Sequence, residues 1–246
     1  MILSIKAKQQ SAENLSFLLH KHPDRLQSVD LPAGKAHIFY PVFEKNHCEV
    51  CLLLDINSVD LVRKSQQDNS DFKLSQYVND RPYVATSYLS VAIAKAFSSA
   101  LNGNCSAHPE LIDQEFQFEV QIPTMPALKG GELLIRKLFE PLGYQIHINR
   151  LQLDNQFPEW GESRYYDCRL STKNTLQNLL SQLYILIPCP DNHKHYWVSA
   201  AEIDKLLDKG RNWLPEHPEK RQIINRYLKD IRSLSNNLSI SAALTQ

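Results

Sequence analysis

Apolar and polar positions alternate along several short stretches of this chain, which is the period of β-strands. At the N-terminus, Leu3, Ile5 and Ala7 alternate with Ile2, Ser4 and Lys6. Similar patterns predict strands over residues 25–31, 35–43, 115–122, 144–153 and 164–170. Residues 48–56 form a nearly continuous apolar run, which predicts a strand covered on both faces. The strands are separated by stretches with a helical period.

Apolar residues that recur every three or four positions predict the helices. The most regular is the stretch 83–101, where small residues such as Ala92, Ala96 and Ala100 form a stripe and indicate a helix buried on most sides. Further helices are predicted over 15–20, 58–62, 130–142, 175–187, 200–208 and 218–228. Ser11 or Asn14 can cap the first of these, and Ser171 or Thr172 the helix that begins near residue 175.

The order of elements is similar in the two halves of the chain. Each half has a strand, a helix, further strands and another helix, which suggests internal duplication of a split β-α-β unit. We therefore predict an α+β fold of mainly antiparallel sheets with covering helices and a helical C-terminal tail. The predicted divisions are a first α+β half at 1–114 with the long helix 83–101, a second half at 115–198, and a basic helical tail at 199–246.

Composition and charge indicate an ordinary globular protein of 246 residues, 43% of them hydrophobic. No apolar run reaches the length of a membrane span. Five cysteines without a signal-peptide layout favour reduced thiols and a cytoplasmic location. The 27 Lys and Arg balance the 27 Asp and Glu, so any contact with RNA would have to be local or mediated by a partner protein.

Local motifs for catalysis are missing from this sequence. Its seven glycines form no Gly-x-Gly pair, so no dinucleotide, adenosyl-cofactor or phosphate loop is indicated, and there is no Gly-x-Ser-x-Gly or His-Glu-x-x-His. Two His-Lys-His triplets, at 20–22 and 193–195, leave open a metal-dependent enzyme. Cys48 and Cys51 are three apart in a predicted strand and would face opposite ways, which disfavours zinc.

Polar residues and aromatic residues cluster at three places that could recognise a partner. The entrance to the long helix, Asn79–Tyr83, holds an Arg between a cap and a Tyr, where Arg81 is either a structural ion-pair member or a displayed contact. The stretches 157–165 and 193–197 each contain a Trp that either covers the core edge or anchors a partner. The candidate partner-binding residues are His20, His22, Arg25, Tyr77, Asn79, Arg81, Tyr83, Trp160, Arg164, Tyr165, His195 and Trp197.

Six strings in order resemble a single family. They are HKHPDRLQS (20–28), GKAHIFYP (34–41), QYVNDRPYVATSYLSVAIAKAF (76–97), LFEPLGY (138–144), FPEWGESRYYD (157–167) and HKHYWV (193–198). Together they resemble the N-terminal half of the bacterial 3′-terminal RNA ribose 2′-O-methyltransferase. The resemblance spans nearly the whole chain.

The resemblance implies a non-catalytic role for this chain. In that family the methyltransferase half is C-terminal and uses S-adenosylmethionine and a divalent metal held by Glu-Glu-x-x-His-His. Neither Glu-Glu nor His-His occurs here, so we expect that half to be absent and no cofactor to bind. The N-terminal half is similar to the part that binds the bacterial polynucleotide kinase–phosphatase–ligase and activates its ligase during repair of ribotoxin-cleaved RNA.

The sequence leaves open a second function, an RNA-binding module that presents the broken 3′ end to the methyltransferase half. A local excess of four positive charges supports it, because the stretch 205–232 holds eight Lys or Arg and four Asp or Glu. The overall charge of zero opposes it. A third function, an enzyme that uses a His-Lys-His site, has the least support.

Overall fold

Seven strands form one antiparallel sheet in the order β2-β3-β4-β1-β5-β7-β6. The computed structural model describes residues 1–31, 34–57, 84–190 and 200–228. The strands are β1 (Ile2–Lys8), β2 (Gln27–Leu31), β3 (Gly34–Glu44), β4 (His47–Ile56), β5 (Glu115–Pro126), β6 (Gln145–Gln152) and β7 (Glu162–Thr175). The predicted antiparallel α+β fold is therefore confirmed.

Helices occur between the strands and after the last of them. They are α1 (Asn14–Leu19), α2 (Val84–Ala96), α3 (Ser98–Leu101), α4 (Gly131–Phe139), α5 (Leu176–Leu186), α6 (Ala200–Gly210) and α7 (Lys220–Tyr227). Short 3-10 turns occupy Pro109–Leu111, Glu140–Leu142 and Pro158–Trp160. Among the residues described, no helix has the length and apolar character needed to cross a membrane.

One face of the sheet carries the hydrophobic core. Leu3, Ile5, Phe118, Val120 and Leu170 occupy alternate positions of the central strands, and each is 2% exposed or less. Burying such a side chain stabilises the fold by about 1.5–3 kcal/mol. The period-two pattern of the sequence thus determines which side of each strand meets the helices.

The topology of the sheet repeats once along the chain. After β1 and α1, the β3–β4 hairpin returns so that β4 lies beside β1, which leaves β1 and β3 parallel with β4 between them. After β5 and α4, β6 and β7 follow the same course, and β7 lies beside β5. A helix follows each unit, α2 in the first and α5 in the second. The predicted repetition of a split β-α-β unit is confirmed as topology.

The two units meet where β1 pairs with β5, in a register that joins Ile5 to Val120. Because this pairing is antiparallel, an approximate twofold axis between the two strands relates the units. β2 is an extra edge strand of the first unit. Both predicted halves thus contribute to one sheet, and their boundaries at 114 and 198 stay a prediction.

Several helix boundaries differ from those predicted. The stretch predicted as one helix over 83–101 is divided at Phe97, where φ is −120° and ψ is 31°. Glu13, rather than Ser11 or Asn14, precedes α1. Thr175 caps α5 by accepting the N–H of Asn178 at 3.3 Å, because β7 continues through the predicted caps Ser171 and Thr172.

Two expectations about burial were wrong. β4 is not covered on both faces, since Leu53 is 37% exposed and Asp55 is also exposed. The apolar pattern of the predicted helix over 130–142 also favours burial of Leu133 together with Leu134 and Leu138, but Leu133 is 65% exposed whereas the other two are buried. In α4 the buried stripe therefore starts one position later than the sequence suggests.

The described C-terminal helices pack against the rest of the fold through polar contacts as well as apolar ones. The Trp213 indole donates to the Ser181 hydroxyl at 2.9 Å, which joins the chain beyond α6 to α5. Arg226 on α7 donates to the carbonyls of Cys189 and Lys129 at 3.1 and 3.2 Å. The predicted helical C-terminal segment is confirmed as far as residue 228.

Candidate protein-interaction surfaces

The sequence-predicted partner residues divide into those the structure describes and those it does not. Tyr77, Asn79, Arg81, Tyr83, His195 and Trp197 lie outside the described residues. The helix entrance at 79–83 and the second His-Lys-His triplet are among them. Their roles stay predictions.

His20, His22 and Arg25 lie in the connection between α1 and β2. His20 ends α1 in the left-handed conformation, with φ at 55°, and its Nε2 lies 3.3 Å from the Asn104 carbonyl. His22 accepts the Asp24 amide at Nδ1, at 3.2 Å, and its carbonyl accepts the Arg25 amide at 3.3 Å. All three side chains are exposed, but both histidines also take part in local turn contacts.

An exposed aromatic residue on α1 lies close to this connection. The Phe17 ring, 47% exposed, lies 4.6 Å from the His108 ring, centroid to centroid. His108 in turn lies 3.1 Å from a Glu110 carboxylate oxygen. Sequence reasoning missed Phe17, because it was read only as part of a short amphipathic helix.

Among the described residues, a cluster of exposed apolar side chains lies at the turn between β6 and β7. The rings of Phe157 and Trp160 stack with centroids 4.7 Å apart and planes 13° apart. These side chains are 43% and 59% exposed, and Leu153 beside them in sequence is 60% exposed. We call Leu153, Phe157 and Trp160 the hairpin-tip patch. The sequence indicated Trp160 as an anchor but gave no role to Phe157 as its stacking partner.

The stacking follows from the local backbone. Phe157 precedes the 3-10 turn Pro158–Trp160, and in a 3-10 turn the side chains at positions three apart lie on the same side. Pro158 fits the first position of the turn, because a residue there has no intrahelical hydrogen-bond partner for its N–H and proline has no N–H. A Phe-Pro-x-Trp sequence before a glycine is thus the signal that could have indicated the pair.

Backbone hydrogen bonds hold the hairpin tip in one arrangement. The Leu153 amide donates to the Gly161 carbonyl at 3.1 Å, and the Trp160 amide donates to the Phe157 carbonyl at 3.0 Å. The Asp154 carboxylate accepts the Gln156 amide at 2.7 Å, a local turn that suits Asp. Gly161 has φ at 83° and ψ at −159°, a region open essentially to glycine alone.

Arg150 holds the base of the same hairpin. Its guanidinium donates to the Ser163 carbonyl at 2.9 Å and to a Glu162 carboxylate oxygen at 2.7 Å, and it lies 5.8 Å from the centre of the Tyr166 ring. The strand register shifts between Arg150 and Gln152. The clamp therefore lies where regular pairing ends and the tip begins.

Arg164 and Tyr165, also predicted to bind a partner, lie on β7 just beyond the tip. Arg164 is exposed, and its carbonyl accepts the Ala127 amide at 3.2 Å. Tyr165 is half-buried, and its amide donates to the Ser163 hydroxyl at 3.1 Å. The structure therefore groups Trp160, Arg164 and Tyr165 on one hairpin. Arg25 precedes β2 at the opposite edge of the sheet.

The second face of the sheet carries several paired charges. Lys6 lies 3.8 Å from Glu49 and 3.5 Å from Glu119, and Lys173 lies 2.6 Å from Glu115. Positive and negative side chains alternate across neighbouring strands. Positive and negative charges therefore balance on this face, as they do in the whole chain. A face that binds phosphates would instead carry unpaired Lys and Arg.

The described thiols are poorly suited to nucleophilic or metal chemistry. All five cysteines are buried, and burial raises the pKa of Cys48 and of Cys168 to about 12. Such thiols stay protonated near neutral pH. Cys48 and Cys51 do lie on opposite faces of β4, as predicted, and the described residues contain no group of three potential metal ligands.

Two chains of known structure are similar to this chain. A chain in a structure described as the Pnkp1/Rnl/Hen1 complex is 13% identical, with a TM-score of 0.57, over 99% of this chain and 55% of that chain. A chain in another, described as the Pnkp1/Rnl/Hen1 RNA repair complex, is 15% identical, with a TM-score of 0.48, over 98% of this chain and 50% of that chain. The first of these likenesses shows a shared fold alone.

This chain spans about half the length of both solved chains, 55% and 50% of them. None of the curated proteins compared with it matches. One family profile, described as the RNA repair, ligase-Pnkp-associating, region of Hen1, matches residues 1–241. The chain therefore belongs to that family of ligase-associating regions.

Proposed function

We propose that this chain binds the bacterial polynucleotide kinase–phosphatase–ligase and activates its RNA ligase during repair of cleaved RNA. The observation that carries the proposal is the match of residues 1–241 to a family described by its association with the ligase protein. The rigid hairpin with exposed aromatic residues supports a docking role, since protein interfaces rely on such anchors.

Activation by a bound protein requires a difference in affinity. The chain can stimulate the ligase only if it binds the active conformation more tightly than the inactive one. A difference of about 1–3 kcal/mol would shift the equilibrium roughly 5–150-fold towards the active form. No chemistry by this chain is needed for such an effect.

A non-catalytic role is consistent with the described side chains. The thiols are buried and the acidic and basic groups of the second sheet face are paired with each other. We assign S-adenosylmethionine and the divalent metal to a C-terminal methyltransferase region, as the resemblance implies. This chain then supplies the association and leaves methyl transfer to that region.

Direct RNA binding by the basic C-terminal stretch has less support. Arg226 is engaged with two backbone carbonyls, and Lys220 donates to the Pro215 carbonyl at 3.0 Å. Lys209 contacts the Asp208 carboxylate at 2.6 Å. Part of the local positive charge is thus used inside the fold rather than offered to phosphates.

Ligase stimulation tests this proposal directly. Purified chain is added to its cognate polynucleotide kinase–phosphatase–ligase at constant ligase concentration, and enzyme adenylylation and RNA joining are measured. We expect both rates to rise roughly 5–150-fold and to level off as the partner saturates. Saturated binding without any stimulation would refute activation but leave association intact, and undetectable binding would refute both.

A further inference from the structure

We propose that the hairpin-tip patch is the anchor with which this chain docks its protein partner. The geometry points to an apolar pocket on the partner, rimmed by Lys or Arg. The inference rests on the proposed function, so the partner is the ligase-bearing protein. The family description assigns no role to these residues.

Exposure and residue type set this patch apart from the other surfaces described. Trp is among the residues most enriched at the centres of interfaces, because one ring contributes a large contact area. Trp160 is 59% exposed and stacks on Phe157 rather than covering the core. The sequence left open whether Trp160 covers the edge of the core or is exposed to solvent, and in the structure it is exposed.

Hydrogen bonds within the hairpin define the backbone arrangement of the patch without a partner. The Leu153–Gly161 and Trp160–Phe157 backbone hydrogen bonds fix the tip, and Arg150 fixes its base. Side chains held in their bound arrangement lose less conformational entropy on binding. A rigid pair of rings therefore suits a preformed pocket better than a mobile loop would.

The charges around the patch determine the chemistry of its occupant. Glu159 lies within the 3-10 turn and is exposed, and the Asp154 carboxylate adjoins the turn. Acidic groups beside an apolar centre favour a partner whose pocket has a basic rim. They also oppose pairing of two identical tips, because the same carboxylates would face each other.

RNA fits the same features less well. Base-stacking surfaces combine aromatic rings with positive charge along the phosphate path. Here carboxylates accompany the rings, and the Arg150 guanidinium at the base of the hairpin is occupied by Glu162 and the Ser163 carbonyl. Each stacked ring also covers one face of the other, which reduces the area open to a base.

Alanine substitution of Trp160 tests the anchor. The affinity of Trp160→Ala for the purified cognate polynucleotide kinase–phosphatase–ligase is compared by calorimetry with that of the unaltered chain. The control is Leu26→Ala, since Leu26 is 68% exposed and lies just before β2, at the other edge of the sheet. We expect roughly a tenfold or greater loss for Trp160→Ala and less than twofold for Leu26→Ala.

The outcomes distinguish the anchor from the proposed function. Equal affinity of Trp160→Ala and the unaltered chain would overturn the anchor and leave the proposed function standing. No binding by the unaltered chain would overturn both. Loss of affinity for a single-stranded RNA oligonucleotide, with ligase affinity unchanged, would identify an RNA-stacking surface and also overturn the inference. Unchanged melting temperatures of both variants would establish that the fold is intact.

Charge reversal tests the basic rim separately. Glu159→Lys should weaken ligase binding severalfold and reduce its dependence on salt, because a favourable charge contact becomes repulsive. Glu44→Lys makes the same change at an exposed residue at the end of β3, and should leave affinity unchanged. Equal or tighter binding by Glu159→Lys would contradict the basic rim.

Discussion

Ser181 illustrates what the sequence does not reveal at the scale of single residues. It is a buried serine on the apolar helix α5, where the hydrophobic pattern gives it no role. In the structure its hydroxyl donates to the Lys209 carbonyl and accepts the Trp213 indole N–H at 2.9 Å. These partners are 28 and 32 residues away, so no local pattern could indicate them.

We predict that Ser181→Ala destabilises the fold by about 1–3 kcal/mol, because the indole N–H and the carbonyl lose a buried partner together. The matched control is Ser90→Ala, which removes a buried serine that donates only within its own helix, to the Thr86 carbonyl. The control should cost about 0.5 kcal/mol or less. Urea unfolding of both variants measures the difference, and equal costs would contradict a linking role for Ser181.

At the scale of elements, the local pattern predicted the strands and helices well and their ends poorly. Alternation identified the core-facing side of β1 and β5 because a strand places successive side chains on opposite faces. It did not predict that β7 continues to Thr175, since pairing with β5 extends it past the predicted end at Leu170. The Phe157–Trp160 pair depends similarly on a 3-10 turn that has no periodic signal of its own.

Gly161 tests how far the hairpin-tip patch depends on that turn. Gly161→Ala places a side chain in a conformation that costs about 1–3 kcal/mol, although its Cβ would meet nothing within 4 Å. The turn should rearrange and displace Trp160, so that ligase affinity falls severalfold. The comparison variant is Gly143→Ala, with φ at 84° and equally open surroundings, but in the turn after α4.

Gly143→Ala should lose some stability, because its backbone is also left-handed, but should bind the ligase like the unaltered chain. Ligase affinity measured by calorimetry and the melting temperature together separate a loss of binding from a loss of stability. Equal affinities for the two glycine variants would mean that the tip turn does not position the anchor.

At the scale of the whole molecule, the repeated unit was predictable from the order of elements, although residue identity between the halves is weak. Each unit needs only a strand, a helix and a returning hairpin, and the hydrophobic pattern encodes all three. The docking surface was not predictable in the same way, because it depends on the shape and charge of a second protein. Family resemblance indicated the partner, and we propose the turn between β6 and β7 as the docking surface because its stacked rings are exposed.

Amide hydrogen exchange with and without the cognate polynucleotide kinase–phosphatase–ligase tests the central claim most directly, because it reports every region of the chain at once. We predict that binding slows exchange over residues 153–161 and leaves residues 20–26, beside β2 at the other edge of the sheet, unchanged. Protection over 20–26 with none over 153–161 would contradict docking through the hairpin-tip patch.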